Sequence, residues 1–155
     1  MARPESTAEL LHKLGKELAN KQALLIDRYP NARSSLRLML SAMGINSVRS
    51  ASSSADVLRQ VKAIDFDIIL ADYILEDGRD SQQLLEELRH QHLVSLSTVF
   101  IVITSEREYH NVVSIAELSV DDYLIKPFTI DELQGRLLRA LNKKRFFTPL
   151  FESLD

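Results

Sequence analysis

Phe66-Asp67-Ile68-Ile69-Leu70-Ala71-Asp72 is the stretch that decides the fold. An apolar run this nearly unbroken, closed by an acid, reads as a strand covered on both faces, as the strands of a parallel sheet are. Val99 to Ile103 reads the same way and closes on Thr104-Ser105. Ala23 to Ile26 closes on Asp27, and a shorter run leads into Lys126-Pro127. In an open parallel sheet the strand C-termini share one edge, where ligands bind. Two acids, a hydroxyl pair and a lysine therefore converge on one pocket, and Asp72 there is equipped to take a phosphoryl group.

Working outward, the runs alternate with amphipathic helices, the signature of right-handed βαβ units. The first helix spans about Asn31 to Met43, with Leu36, Met39, Leu40 and Met43 inward and Gly44 as its stop. A short polar strand follows near Ser47 to Ser50. The second helix comes after Ser52-Ser53-Ser54 and buries Val57, Leu58, Val61 and Ile64, and the third carries Leu84, Leu85 and Leu88. The fourth runs from about Tyr109 to Leu118 with Val112, Val113 and Ala116. The fifth starts at Thr129, with Glu132 in capping-box position, and buries Leu133, Leu137, Leu138 and Leu141.

Ahead of this pattern, Ser6-Thr7-Ala8-Glu9 matches a capping box and opens a helix to about Asn20, striped by Leu10, Leu11, Leu14 and Leu18. Packing on the domain's own surface is the expected use of that stripe, with a homodimer contact as the alternative. Behind it, Phe146-Phe147-Thr148-Pro149-Leu150-Phe151 is too apolar for a solvated end. It either folds back or meets a missing neighbour. The organisation is an N-terminal helical extension (1–21), an α/β domain (22–144) and an apolar tail or linker start (145–155).

Composition narrows the function. Nineteen basic against twenty-two acidic residues give a net charge of −3, without the basic excess of a nucleic-acid binder. The one dense basic run, Lys143-Lys144-Arg145, falls near the end of a predicted helix, where cations complement the dipole and need no partner. No cysteine is present, which excludes disulfides and thiolate zinc sites and permits a reducing cytoplasm. The first residues lack the apolar core of a signal peptide, and no apolar stretch approaches the roughly eighteen residues of a membrane span. The expectation is a cytoplasmic chain that engages neither membrane nor nucleic acid. His12, His90, His92 and His110 offer no i, i+4 pair for zinc.

Taken in order, Ala23-Leu24-Leu25-Ile26-Asp27, Asp72 with Leu75 and Asp77-Gly78, Thr104-Ser105, and Asp122-Tyr123-Leu124-Ile125-Lys126-Pro127-Phe128 resemble the receiver domain of two-component response regulators. The likeness covers about Gln22 to Lys144. Gln83 to His90 and Asp121 to Phe128 look further like receivers found ahead of tetratricopeptide-repeat helices. The resemblance implies a flavodoxin-like α/β fold, a doubly wound five-stranded parallel sheet of order 2-1-3-4-5. It implies that Asp72 is the phosphoacceptor, served by a sensor histidine kinase or phosphotransfer protein. Thr104 and Lys126 would stabilise the phosphoryl group, Thr104 and Tyr123 would form the switch, and Lys126-Pro127 would be a cis peptide. Mg²⁺ would be held by Asp27, Asp72 and the backbone carbonyl of Ile74. Output would pass through the face of helix four, strand five and helix five to a downstream protein or helical repeat domain.

One position departs from that pattern. The family presents consecutive acids after strand one, but here Arg28 follows Asp27, and arginine offers Mg²⁺ no oxygen. Arg28 either reaches solvent, leaving a weakened metal site, or forks onto Asp72 and stands in for the metal's charge. Glu76 and Asp77 are spare acids that would compensate. The second outcome would make a degenerate receiver, a protein-binding module independent of phosphorylation. A third class, hydrolases with an aspartyl-phosphate intermediate, needs an acid two residues after the nucleophile, and Ile74 stands there. A Rossmann-type nucleotide enzyme fails because Gly15, Gly44, Gly78 and Gly135 build no phosphate-cradling loop.

Overall fold

A computed structural model describes residues 6–113 and 120–154. The chain runs α1 (Thr7–Ala19), β1 (Gln22–Ile26), α2 (Pro30–Ala42), β2 (Ser47–Ala51), α3 (Ser54–Ala63), β3 (Ile68–Asp72), α4 (Ser81–His90), β4 (Val99–Ser105), α5 (Glu106–Val113), β5 (Asp122–Lys126) and α6 (Ile130–Leu154). All five strands pair in parallel, in the order β2-β1-β3-β4-β5. This is the expected doubly wound, flavodoxin-like α/β fold.

Side chains alternate across a strand, so the apolar runs divide by parity into two cores. Ala23, Leu25, Ile68, Leu70, Ile101, Ile103 and Leu124 pack with Leu36 and Leu40 of α2 and Leu133 and Leu137 of α6. Leu24, Ile26, Ile69, Ala71, Phe100 and Val102 pack with Val57 and Val61 of α3 and Leu84, Leu85 and Leu88 of α4. Burial on both faces explains why β3 and β4 lack the polar alternation of a one-sided strand. Gly44 takes φ +94° after α2, a conformation that glycine adopts without steric cost.

The sheet edge at β2 is covered by side chains. Arg37 donates to the Val48 carbonyl at 2.9 Å and to Ser50 Oγ at 2.7 Å, and Gln60 donates to the Ser50 carbonyl at 2.9 Å. Those carbonyls point away from β1, and capping them removes a template for edge-to-edge pairing.

Three expectations about elements are amended. α5 begins at Glu106, immediately after β4, rather than near Tyr109, because the Ser105 hydroxyl accepts from the Glu108 N–H at 3.1 Å and caps the helix directly. The rest of that expected helix, residues 114–118, lies outside the described residues. α6 continues through the basic run, where neither glycine nor proline stands between Ala140 and Phe147 to stop it, and on past Pro149 to Leu154. Lys144 has defined partners within it: its ammonium lies 2.9 Å from Asp121 Oδ1 and donates to the Leu96 carbonyl at 2.6 Å. Burial lowers its pKa, against the pull of Asp121. Of the α1 stripe, Leu18 is buried in the α2/α6 core, while the side chains of Leu10, Leu11 and Leu14, like those of the 146–151 tail, lie outside the described residues.

Candidate functional site

Register brings the expected residues to one edge. Ile26 pairs with Ala71, Asp72 with Ile103, Thr104 with Ile125 and Ser105 with Lys126, so Asp27, Asp72, Thr104 and Lys126 fall within about one residue of a common line. Asp27 is 2 % exposed, Asp72 9 % and Thr104 0 %. Lys126 Nζ stands between the acids, 3.5 Å from Asp72 Oδ1 and 3.9 Å from Asp27 Oδ2. At those lengths it is an ion pair shared by two carboxylates rather than a strong hydrogen bond to either. The Lys126–Pro127 peptide is cis.

The acids are fixed by the backbone. Asp72 Oδ1 accepts from its neighbour's amide, Tyr73 N, at 3.0 Å, and Asp27 Oδ1 accepts from Tyr29 N at 2.9 Å. Burial pushes the Asp72 carboxyl above the usual aspartate value; Lys126 pulls it down and Asp27 pushes it up again. Arg33 of α2, a residue the sequence reading did not single out, donates to the Asp27 carbonyl. Beside the acids an apolar cleft of about 190 Å³ opens between α2 and the β5–α6 loop, lined by Leu36, Met39, Ile103 and Phe128.

Arg28 does not reach Asp72. Its side chain is exposed and its guanidinium lies 4.8 Å from the centroid of the Tyr29 ring, a cation–π contact that holds it at the surface. Asp77 is committed elsewhere: its carboxylate accepts from Ser54 N at 3.1 Å and Arg79 N at 3.3 Å, tying the β3–α4 loop to the start of α3. Glu76 is exposed. Among the described residues no group of three or more His, Cys, Asp or Glu is arranged to hold a metal. Two buried carboxylates remain, with Ile74 two residues beyond Asp72. Mg²⁺ takes oxygen donors and keeps several waters, so this set fits it, with fewer protein charges than a third acid would give.

Thr104 and Tyr123 have the opposite parity and belong to the α4 side of the sheet. Thr104 Oγ1 donates to Glu108 Oε2 at 3.0 Å, with the Ser105 carbonyl at 3.4 Å. The half-buried Tyr123 ring packs on the α3/α4 core and edge-on to Tyr109, centroids 5.9 Å apart, and its hydroxyl is engaged by Gln82 of α4. Burial raises its pKa. Glu108 and Gln82 were not foreseen. Ser105-Glu106-Arg107-Glu108 is a capping-box spacing that points to Glu108, whereas no local pattern joins Gln82 to a tyrosine 41 residues on.

The sequence profile of the response regulator receiver domain matches residues 23–138, and the chain belongs to that family. It is 26 % identical over 118 residues to the chemotaxis protein CheY-3 of Vibrio cholerae serotype O1, covering 76 % of this chain and 89 % of that protein. The crystal structure of a response regulator receiver domain protein from Clostridium thermocellum shares the fold with TM-score 0.68 at 23 % identity, over 82 % of this chain and 98 % of that one. NtrX from Brucella abortus gives TM-score 0.73 at 23 % identity, over 84 % of this chain and 29 % of that one. Receiver domains are signalling modules of two-component systems that typically bind Mg²⁺ and interact with histidine kinases or phosphotransfer proteins. No helix among the described residues is long and apolar enough to cross a membrane.

Proposed function

We propose that this chain is a cytoplasmic receiver that accepts a phosphoryl group on Asp72 from a phosphohistidine and signals through the face of α5, β5 and α6. The observation that carries the reading is the Lys126 ammonium shared by two buried carboxylates, 3.5 Å from Asp72 and 3.9 Å from Asp27. Oδ1 of Asp72 is held by Tyr73 and Lys126, which leaves Oδ2 as the attacking oxygen. A P–O bond forms there as the N–P bond of the donor breaks, and the imidazole departs with the electron pair and takes a proton from solvent. Lys126 follows the charge onto the acyl phosphate. Mg²⁺ is the proposed cofactor, held by Asp27, Asp72 and the Ile74 carbonyl, and it supplies positive charge against the phosphoryl oxygens. With Arg28 in place of an acid it is held more weakly. The apolar cleft beside Asp27 suits the docking of a sensor histidine kinase or phosphotransfer protein, and the downstream partner is a protein or helical repeat domain.

The rival reading, a degenerate receiver that binds partners without phosphorylation, requires Arg28 to neutralise Asp72. Stacking of Arg28 on Tyr29 favours the phosphoryl acceptor. Mass spectrometry after incubation with acetyl phosphate and Mg²⁺ tests this. One phosphoryl group should be gained by the wild type and none by Asp72→Asn. An unmodified wild type, or a modified Asp72→Asn, overturns the proposal.

A further inference from the structure

We infer that Glu108 is a positioning residue that holds the Thr104 hydroxyl away from the acceptor and sets the threshold for switching; the inference rests on Asp72 accepting a phosphoryl group. A hydroxyl carries one proton to donate. At Thr104 a carboxylate oxygen at 3.0 Å competes for it with a neutral carbonyl at 3.4 Å, and the shorter, charge-assisted bond takes it. The side chain is fully buried, so water does not offer a third acceptor.

Glu108 is itself fixed in place. It lies in the first turn of α5, where its charge complements the helix dipole, and its N–H donates to Ser105 Oγ at 3.1 Å. In a capping box the carboxylate three residues after the cap returns to the cap residue's own N–H. Here Ser105 still belongs to β4, paired with Lys126, and the carboxylate takes the neighbouring hydroxyl instead. The cap of α5 and the switch hydroxyl thus form one hydrogen-bonded unit.

That unit has two consequences. A phosphoryl group on Asp72 draws Thr104 only by displacing Glu108, so part of its attraction is consumed in breaking a charge-assisted bond. Once released, Glu108 is only half-buried and passes to water, while the first turn of α5 loses a side-chain tie to β4. The event at Asp72 therefore reaches the α5–β5–α6 face through the start of α5 as well as through Tyr123.

The test is a beryllofluoride titration of the full chain with Mg²⁺, followed by NMR, in wild type, Glu108→Ala, Glu108→Gln, Thr104→Val and Thr104→Val/Glu108→Ala. The half-saturating concentration should fall roughly tenfold in Glu108→Ala and less in Glu108→Gln, which keeps an acceptor without the charge. Adding Glu108→Ala to Thr104→Val should change nothing. The Thr104 methyl resonance should also move in both Glu108 variants before any beryllofluoride is added, so one folded variant suffices. An unmoved methyl resonance, an unchanged midpoint, or an equal fall in the Thr104→Val background overturns the latch and leaves the acceptor reading intact. Absence of beryllofluoride binding in every variant overturns both.

Discussion

Lys126→Met removes the ammonium that, alone among the described residues, lies within ion-pair reach of both buried acids, and it keeps most of the apolar stem, so it isolates the charge. Unit charges at 3.5 and 3.9 Å attract by about 4 to 5 kcal/mol each at an effective dielectric of 20. That figure is an upper limit, because the lysine side chain is 39 % exposed and water screens it. Exposed pairs contribute about 0.2–1 kcal/mol, whereas breaking a fully buried pair costs about 3–5 kcal/mol. With both carboxylates nearly buried and the ammonium half out, the expected loss lies between these limits, about 2 kcal/mol at neutral pH. Its pH dependence identifies the cause. Burial and Asp27 already raise the Asp72 carboxyl, and Lys126 opposes them, so removing the lysine raises it further. An acid whose folded value lies above its unfolded value of 3.8 contributes no penalty below that value. Stability is lost as pH climbs from there through the folded value. Urea denaturation at neutral pH and just above 3.8 should therefore show a Lys126→Met deficit that shrinks on acidification, and Asp72→Asn should relieve it at neutral pH. A deficit independent of pH would mean that packing by the lysine stem, not charge, was removed, and no deficit at all would refute the shared ion pair.

Two further changes probe the chemistry around the acids. Arg28→Asp replaces an exposed cation by an oxygen donor next to Asp27, and Mg²⁺ affinity measured by calorimetric titration should rise about tenfold; an unchanged affinity would show that position 28 does not face the ion. Ile74→Asn offers a hydrogen-bonding group to an attacking water where the native side chain offers none, so phospho-Asp72, once formed, should hydrolyse faster when followed by loss of mass. An equal or longer half-life would remove residue 74 from that role.

The sheet was legible because each central strand is an apolar run ended by a different chemical group, and parallel topology leaves only one edge for those groups to share. The cores were legible for the same reason: periods of two and 3.6 sort Leu70 from Ile69 and Leu84 from Glu86 without any tertiary knowledge. The start of α5 was misread because Glu106-Arg107-Glu108 looks like a charged loop, although Ser105 three residues before Glu108 is a cap at the end of a strand. Gln82 and Arg33 were illegible in principle. Gln82 meets Tyr123 only when α4 has docked on the sheet, and Arg33 meets the Asp27 carbonyl only when α2 has folded back over β1. The fate of Arg28 had two readings at the level of sequence, and the ring of Tyr29, its immediate neighbour, supplies the difference between them.

Parity also bears on how the proposed receiver would sense a charge at this edge on the far side of the sheet. Asp27, Asp72 and Lys126 share the parity of the strand residues that face α2 and α6, whereas Thr104 and Tyr123 share the parity of those that face α3 and α4. In the proposed receiver, a phosphoryl group added to the first set would act directly on Lys126, which already lies within ion-pair reach of both acids. On the neighbouring strand the member of the second set nearest in register is Thr104, one step beyond the Asp72–Ile103 pair. Thr104 in turn adjoins Tyr123, because Val102 pairs with Tyr123 and Thr104 with Ile125. Each of these two residues is tied to a different helix, Thr104 to α5 by Glu108 and Tyr123 to α4 by Gln82. In the proposed receiver, movement of the Thr104 hydroxyl would loosen one tie and make room for the Tyr123 ring to exchange the other, turning a local change of charge into a rearrangement of helices.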